Sequence, residues 1–526
     1  MQLKSVSRVF TFNSNCFNRT FSIVPTRNYG VQTAPASEGS DPEWDNAKPY
    51  ESIPRMTLME SVKNFFPGGR YHNVSITEMH RLFQEDYGDL IRFPGILGRK
   101  DTVMTYRPDD FEKLFRTEGT WPNRRGLDTF VHYRKNVRPD VFKGVGGLVT
   151  EQGESWQKFR TIVNPVLLQP KTVRLYVDKL DEVTREFMNI MLKIRDNKNE
   201  MPADFNQWLN RWALEVTGVI SVDSRLGVLD AEESEEAKRI VKLTKELFEL
   251  VYQLDIRPSI WMYYKTSKYH RLMKVFDELT AIAMAKVDEA VVRLEKNPTT
   301  NTDAQSVLEK LLKIDRDVAI IMSFDMVLAG IDTTTSAIIG ILYCLANHPE
   351  KQAKLREELR GILPTKNSSL TPDNMLNLPY LRACIKEGMR LFPPIGGNIR
   401  AAGKDIVLQG YRIPKGTDVA MGSMVAQQSD RFVPRAKEFL PERWLKTKEP
   451  GCPHAKDAHP FVYLPFGNGP RTCVGRRLAM MEMEILIARI TRLFEYRWNY
   501  GDLNIQTTLV NTPVNDLKFQ MMEVDS

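Results

Sequence analysis

Phe466-Gly467-Asn468-Gly469-Pro470-Arg471-Thr472-Cys473-Val474-Gly475 is the stretch that decides the fold. Gly467 and Gly469 permit backbone conformations closed to other residues, and they lead to a single cysteine. Apolar residues at helical spacing follow, from Gly475 to Phe494. The segment therefore reads as a glycine-rich loop that delivers Cys473 to the start of a helix. Backbone N–H groups at a helix start favour a thiolate and lower its pKa. Cys16, Cys344, Cys384 and Cys452 form no CxxC pair with it or with one another. Neither a disulfide framework nor a zinc site is indicated, and a reducing compartment is expected. A lone thiolate is suited instead to axial ligation of haem iron. Arg471 would then lie near a haem propionate, and Gly475 would let the backbone approach a flat partner.

Four further patterns lie upstream. Trp156 and Arg160 stand four apart and share a helix face, and both carry N–H groups that can donate to a carboxylate. Ala329-Gly330-Ile331-Asp332-Thr333-Thr334 falls inside the long apolar run Ala319–Ala346. Gly costs ~1 kcal/mol in a helix interior, and a hydroxyl bonded back to the helix backbone distorts it locally. Glu387 and Arg390 stand at i, i+3 spacing, where they can pair. Arg443 follows in Pro441-Glu442-Arg443-Trp444, and Arg400 follows Pro393-Pro394-Ile395-Gly396-Gly397.

The 526 residues exceed the ~100–200 of an ordinary domain. A 42% hydrophobic and 26% charged composition excludes a disordered, collagen-like or polytopic membrane chain. The net charge of +7 is too small to indicate a nucleic-acid binder. Helical periodicity dominates: Ile76–Tyr87, Val173–Met191, Phe205–Val222, Glu232–Gln253, His270–Leu294, Ala319–Ala346 and Leu381–Leu391 all show it. Strand-like pieces fall at Leu90–Leu97, Thr102–Tyr106, Ile406–Ile413 and Thr417–Met421, and 430–475 is a long turn-rich stretch.

Phe466, Gly469, Arg471, Cys473 and Gly475 match every fixed position of FxxGxRxCxG, and the chain thereby resembles the cytochrome P450 superfamily. The resemblance covers roughly residues 50–522. It implies a mostly α fold with small β-sheets, in which haem b (iron protoporphyrin IX) lies between a long central helix and the Cys loop. It implies that Cys473 ligates the iron, and that Trp156, Arg160, Arg400 and Arg471 meet the propionates. Asp332 and Thr333 take the place of the family's proton-delivery pair. Glu387, Arg390 and Arg443 resemble its buried Glu–Arg–Arg network, which is structural. The activity implied is insertion of one atom of O2 into a substrate.

The N-terminus carries an address. Residues 1–37 contain Lys4, Arg8, Arg19 and Arg27, many hydroxyls and no acid, the composition of a mitochondrial transit peptide. Arg27-Asn28-Tyr29 before Gly30 resembles a matrix-peptidase site. Removing 1–29 would lower the charge from +7 to +3. Residues 30–50 read as a linker, and 51–526 as the haem-thiolate monooxygenase domain.

Mitochondrial members of the family take NADPH electrons through ferredoxin reductase and an acidic [2Fe–2S] ferredoxin. Arg382 and Lys386 share a helix face turned roughly 100° or more from Glu387, and with Arg476 and Arg477 they match the group's docking cations. Asp255–Thr266 falls where the family has its F–G loop. Ile260, Trp261, Met262, Tyr263 and Tyr264, beside Lys265 and Lys268, suit a membrane interface. Peripheral contact with the matrix side of the inner membrane is expected. By resemblance the substrate pocket is lined from 124–145, Phe324, Leu328 and Ala329, Ile395–Ile399 and Leu509–Thr512. These residues are mostly apolar or small and suit a lipophilic substrate. Stretches such as 146–173 look most like the insect family 12 group, associated with foreign compounds. An ecdysteroid or other steroid hydroxylase is the alternative, followed by a haem-thiolate sensor or isomerase.

Overall fold

A computed structural model describes residues 42–524, apart from 73, 96–98, 231–233, 297–300, 302–303 and 448. The expected transit peptide lies outside the described residues. Of the expected linker, 42–50 is docked chain. Pro42–Asp45 forms a helical turn, the Arg412 Nε donates to Trp44 O at 2.8 Å, and Lys48 bridges to Tyr411. Trp44 and Tyr50 carry aromatic surface that a sheet edge can cover, which the Pro- and Ser-rich residues before them lack.

The architecture is mostly α with small sheets. The longest helix is Arg316–Ala346, and it is almost wholly buried along its second half. Its start is fixed by Asp315, whose carboxylate accepts from Asp317 N at 2.7 Å and Val318 N at 3.3 Å, a cap of about 1 kcal/mol. Its composition would let it cross a bilayer, yet it serves here as the core helix, with 67% of its most apolar window buried. Phe205–Ser221, Ser267–Lys296, Pro379–Leu391 and Arg476–Leu493 all pack on it. Gly388 allows the closest of these approaches, since a Cβ there would lie 2.6 Å from Ile341 Cγ1.

The main sheet has four strands in the order Leu90–Phe93, Thr102–Thr105, Asp418–Met421, Asn398–Ala401. Its central pairing is parallel, with Thr102 opposite Asp418, and both outer pairings are antiparallel. The sheet has a smaller core of its own, built on Val103, Phe111, Leu114, Leu408 and Val419. The expected strand Ile406–Ile413 is a hairpin, Ile406–Leu408 with Tyr411–Ile413, because Gln409 and Gly410 turn with positive φ.

Glu387 is fully buried and takes five donors. Its Oε1 accepts from Arg390 Nη2 and Arg443 Nε, each at 2.8 Å, and from Leu440 N at 3.1 Å. Its Oε2 accepts from Arg390 Nε at 3.0 Å and Trp444 Nε1 at 2.8 Å. The remaining guanidinium N–H groups donate to carbonyls of Gln427, Pro434, Arg435, Ala436 and Glu438. One helix residue thus gathers the irregular stretch 427–444 that leads toward the Cys loop. Removing one partner of such a network leaves buried charge uncompensated, at about 3–5 kcal/mol. Glu387→Ala is therefore expected to unfold at far lower temperature than the parent, or to yield no soluble protein. A melting temperature within a degree or two of the parent would show that the stretch is held by other contacts.

Candidate functional site

The Cys loop folds as the glycines require. Gly467 and Gly469 have φ of 70° and 74°. Cys473 N donates to Phe466 O at 2.9 Å, and Thr472 N donates to Gly469 O at 3.0 Å. Cys473 stands three residues before the helix Arg476–Leu493. Its side chain is enclosed by protein and yet accessible, as the wall of an interior chamber is. Burial raises the thiol pKa, against the Gly475 N–H and the charges of Arg160, Arg124 and Arg476. The expected lowering is thus not what the chain alone achieves: the helix start is outweighed by desolvation, and a cation on the sulfur is needed to hold the thiolate. Gly475 has ordinary φ, and a Cβ there would meet only Cys473 Sγ, at 3.9 Å. Chain packing does not demand that glycine; a flat group against the backbone would.

The arginines converge on the same place. Trp156 and Arg160 share the inner face of Gly153–Leu167, and both are buried. Arg160 Nη2 donates to Thr472 O at 2.8 Å, while its Nε is buried without a partner. Arg471 lies 4.1 Å over the Trp156 ring and donates to Pro122 O, Glu151 O and Gln152 Oε1. Arg400 donates from Nε to Glu118 Oε2 at 2.7 Å. A fourth member, Arg124, stands in the sequence only as the first residue of the expected lining stretch 124–145. Its Nη2 donates to Val149 O, and burial, Arg400 and Arg160 press its pKa down to about 10. Burial and the charges of Arg124, Arg400 and Arg160 press Arg471 down to about 9. Three buried cations and the half-buried Arg124 beside one carboxylate, Glu118, form a set that a dianionic group completes. The two propionates of haem fit that need, as the lone sulfur fits its iron.

The central helix forms another wall. Met326, Ala329, Gly330, Asp332 and Thr333 are all accessible in mid-helix, where their neighbours are buried. Thr333 Oγ1 donates to Ala329 O at 2.7 Å. The helix stays continuous through these residues, so the hydroxyl adds a bond without breaking the ladder. Gly330 makes room for Thr217 of a neighbouring helix, whose Oγ1 would lie 3.0 Å from a Cβ. Burial pushes Asp332 up to about 6. A second buried acid escaped the sequence reading: Glu482 accepts from Thr334 Oγ1 at 3.2 Å and is pushed up to about 7 by burial. Its helix is apolar enough that nothing in sequence marks which face carries it.

Two of the expected lining residues face elsewhere. Phe324 and Leu328 border a small apolar cavity of about 50 Å³ walled also by Leu214, Ile240, Leu247 and Ile282. They lie on the side of the helix turned toward Phe205–Ser221 and Ser267–Lys296.

Arg382, Lys386, Arg476 and Arg477 do surround one surface recess, together with Arg174. Arg382 is not a free docking cation, however. Its Nε donates to Glu484 Oε1 at 2.8 Å, and its other nitrogens to Leu376 O and Met375 O. Glu484 is largely buried and needs a partner more than Arg382 needs solvent. Lys386 is half-buried, 5.7 Å over the Trp444 ring, with its pKa lowered by burial. Arg476 and Arg477 are exposed.

The aromatic loop divides in two. Ile260, Met262, Tyr263 and Tyr264 are exposed, whereas Trp261 is buried and stacks on Tyr269 at 5.8 Å. Trp261 therefore leaves the expected interfacial run. At the near end of the loop, Asp255 accepts from Thr129 N at 3.1 Å and from Thr129 Oγ1 at 2.6 Å. This bond ties the loop to the helix Asp128–His132, which is also joined to the following helix Ser267–Lys296 through His132 Nε2 and Tyr269 OH at 2.8 Å.

A site of this kind, one lone accessible cysteine among arginines in a chain whose central helix leaves an acid and an alcohol accessible, fits a haem-thiolate protein. The chain belongs to the cytochrome P450 family, whose profile, Cytochrome P450, matches residues 63–517. It is 44% identical to "Cytochrome P450 CYP12A2" of Musca domestica over 95% of each chain. It is 44% identical to "Probable cytochrome P450 12a5, mitochondrial" of Drosophila melanogaster, over 92% of this chain and 93% of that one. It is 42% identical to "Cytochrome P450 12b1, mitochondrial" of Drosophila acanthoptera over 87% of each. The protein is a P450 monooxygenase with haem as its cofactor.

Asp255 offers a pH test. Burial pushes it up to about 7, above the ordinary 3.8. As pH falls, the folded protein takes up this proton before the unfolded chain does. The contribution to stability is complete below about pH 4 and is lost as pH rises through about 7. Asp255→Asn lacks this dependence. The parent should gain melting temperature relative to the variant as pH is lowered from about 8 to about 5. A difference that stays flat in thermal scans would contradict the buried carboxyl.

Proposed function

We propose that this chain is a mitochondrial monooxygenase of lipophilic foreign compounds, with Cys473 as the axial ligand of haem b and Trp156, Arg124, Arg160, Arg400 and Arg471 around its propionates. The observation that carries the reading is the enclosed but accessible Cys473 beside three buried arginines, a fourth that is half-buried, and a single carboxylate. When bound, the haem supplies the activation of dioxygen and the transfer of one of its atoms to a C–H bond. The protein's own part is orientation, exclusion of water and control of protons. Thr333 spends its hydrogen on Ala329 O, so its lone pairs can accept from a water or a protonated oxygen on the chamber side. Asp332, held up to about 6, exchanges a proton close to neutral pH.

Electrons come from NADPH through ferredoxin reductase and an acidic [2Fe–2S] ferredoxin. The printed names of two relatives carry the word mitochondrial, and the acid-free residues 1–37 support the same compartment, with 1–29 removed and 51–526 as the catalytic domain. The docking face is the recess bordered by Lys386, Arg476 and Arg477, with Arg382 as its internal brace rather than a contact. Peripheral contact with the inner membrane on its matrix side is supported by two exposed apolar groups. One is Ile260, Met262, Tyr263 and Tyr264; the other is Leu58, Met59, Val62, Phe65 and Phe66 on and beside the helix Leu58–Phe65.

Thr333→Ala is expected to bind haem and consume NADPH while product per NADPH falls by about tenfold or more and hydrogen peroxide rises. Unchanged coupling in a stoichiometric assay would remove Thr333 from proton control. Lys386→Glu and Arg477→Glu are expected to slow reduction by ferredoxin about tenfold at low ionic strength. The gap should close as salt shortens the Debye length to ~10 Å at 0.1 M. Arg382→Glu should instead lower thermal stability by stranding Glu484. Stopped-flow reduction at the parent rate in both Lys386→Glu and Arg477→Glu would move the docking face elsewhere.

A further inference from the structure

Glu118 is the acid among the four arginines, and it ends the helix Pro108–Thr117. It is 5% exposed and Arg400 1%. Its Oε2 accepts from Arg400 Nε at 2.7 Å. Its Oε1 is buried without a hydrogen-bond partner and lies against the Cys loop, where a Cβ on Gly469 would come within 2.1 Å of it. Gly469 is therefore side-chain-free partly because the Glu118 carboxylate occupies that space. On the other side, a Cβ on Gly403 would lie 2.4 Å from Thr117 O and 2.9 Å from the Glu118 carbonyl carbon. Two separate segments, the Cys loop and the stretch 400–403, thus close on this one residue.

Arg400 has five N–H groups. Nε goes to Glu118, one Nη1 hydrogen to Ile399 O at 2.9 Å and one Nη2 hydrogen to Asn468 O at 3.3 Å. Two remain for an anion. Phe115 supports the guanidinium from its face, with its ring centre 5.1 Å away. Glu118 thus fixes the plane of Arg400 and uses the one nitrogen with a single hydrogen.

We propose that Glu118 is a positioning residue of the haem site: it orients Arg400 toward a propionate and, as a buried anion, holds the iron's reduction potential low. A fixed negative charge in a low-dielectric surrounding disfavours gain of an electron nearby, and burial with charge beyond the iron's ligands is one of the levers a protein has on haem potential. The arginines alone would pull the potential up. Glu118 offsets them without contacting the sulfur, so the thiolate bond and the potential can be set separately. The inference requires haem at Cys473 but is independent of which ferredoxin or substrate is used.

Glu118→Gln keeps the shape and an acceptor for Arg400 Nε but removes the charge. Glu118→Asp keeps the charge and draws it back by one methylene. Each holoenzyme would be titrated by spectroelectrochemistry, with the carbonyl difference spectrum and haem transfer to apomyoglobin measured alongside. The potential of Glu118→Gln is expected to move positive with the thiolate carbonyl band retained. Glu118→Asp is expected to stay near the parent potential while losing haem faster, because Arg400 is held less well. A parent-like potential in Glu118→Gln would overturn the proposal. So would a positive shift in Glu118→Asp as large as that in Glu118→Gln, which is what mere loosening of the loop would give. If Glu118→Gln does not fold, the Glu118→Asp result decides alone: a parent potential with faster haem loss supports the proposal, and a shifted potential or unaltered haem retention overturns it.

Discussion

Positive charge buried around a chamber is the constraint on which the site depends. Arg124, Arg160, Arg400 and Arg471 come from a loop, a helix, a strand and the Cys loop, and their charges act on one another. The fold makes this tolerable by giving them carbonyls: Val149, Thr472, Ile399, Asn468, Pro122 and Glu151 all accept from the cluster. All of these bonds except that to Ile399 also tie one segment to another, so the cations of the cluster are the same groups that assemble its walls. Neutral acceptors relieve the hydrogen-bonding demand of a guanidinium but leave its charge uncompensated. A bound dianion is what that remaining charge calls for.

The second arginine cluster has the opposite balance. Glu387 receives five donors, and its two arginines place their remaining groups on five carbonyls. Every guanidinium nitrogen of that network has a protein partner. The contrast separates a structural network from a binding one without reference to function: both rest on forked guanidinium donors, but the Glu387 network sets two arginines against one acid, whereas the cluster around Cys473 sets four against one and leaves Arg160 Nε without a partner. Arg382 obeys the same logic on the surface. It stands in the position of a docking cation, yet a buried carboxylate takes it first.

The long helices and the Cys loop were legible because their signals are local. Apolar spacing marks Phe205–Ser221 and Arg316–Ala346 to within a few residues, and glycines with positive φ mark the loop. The hairpin at 406–413 was read as one strand because two short strands and their turn fit the length of a single one. Trp261 was read with its exposed neighbours, though it stacks inward on Tyr269. Glu118, Arg124, Asp255 and Glu482 were not legible at all. Each is a common polar residue in an ordinary loop or on an ordinary helix end or face, and its meaning lies in partners from 126 to 282 positions away for three of the bonds that define them.

The sequence by itself determined the fold class, the lone cysteine in its glycine-rich loop, the acid–alcohol pair on the central helix and the acid-free N-terminus. These depend on spacing and residue type within a few turns of chain. The tertiary structure decided which cations are free and which are spent, how the thiol's burial overrides its helix start, and where buried acids balance charge. Desolvation and Coulomb interactions depend on what surrounds a group in space, and that surrounding is assembled from segments that the linear order keeps apart.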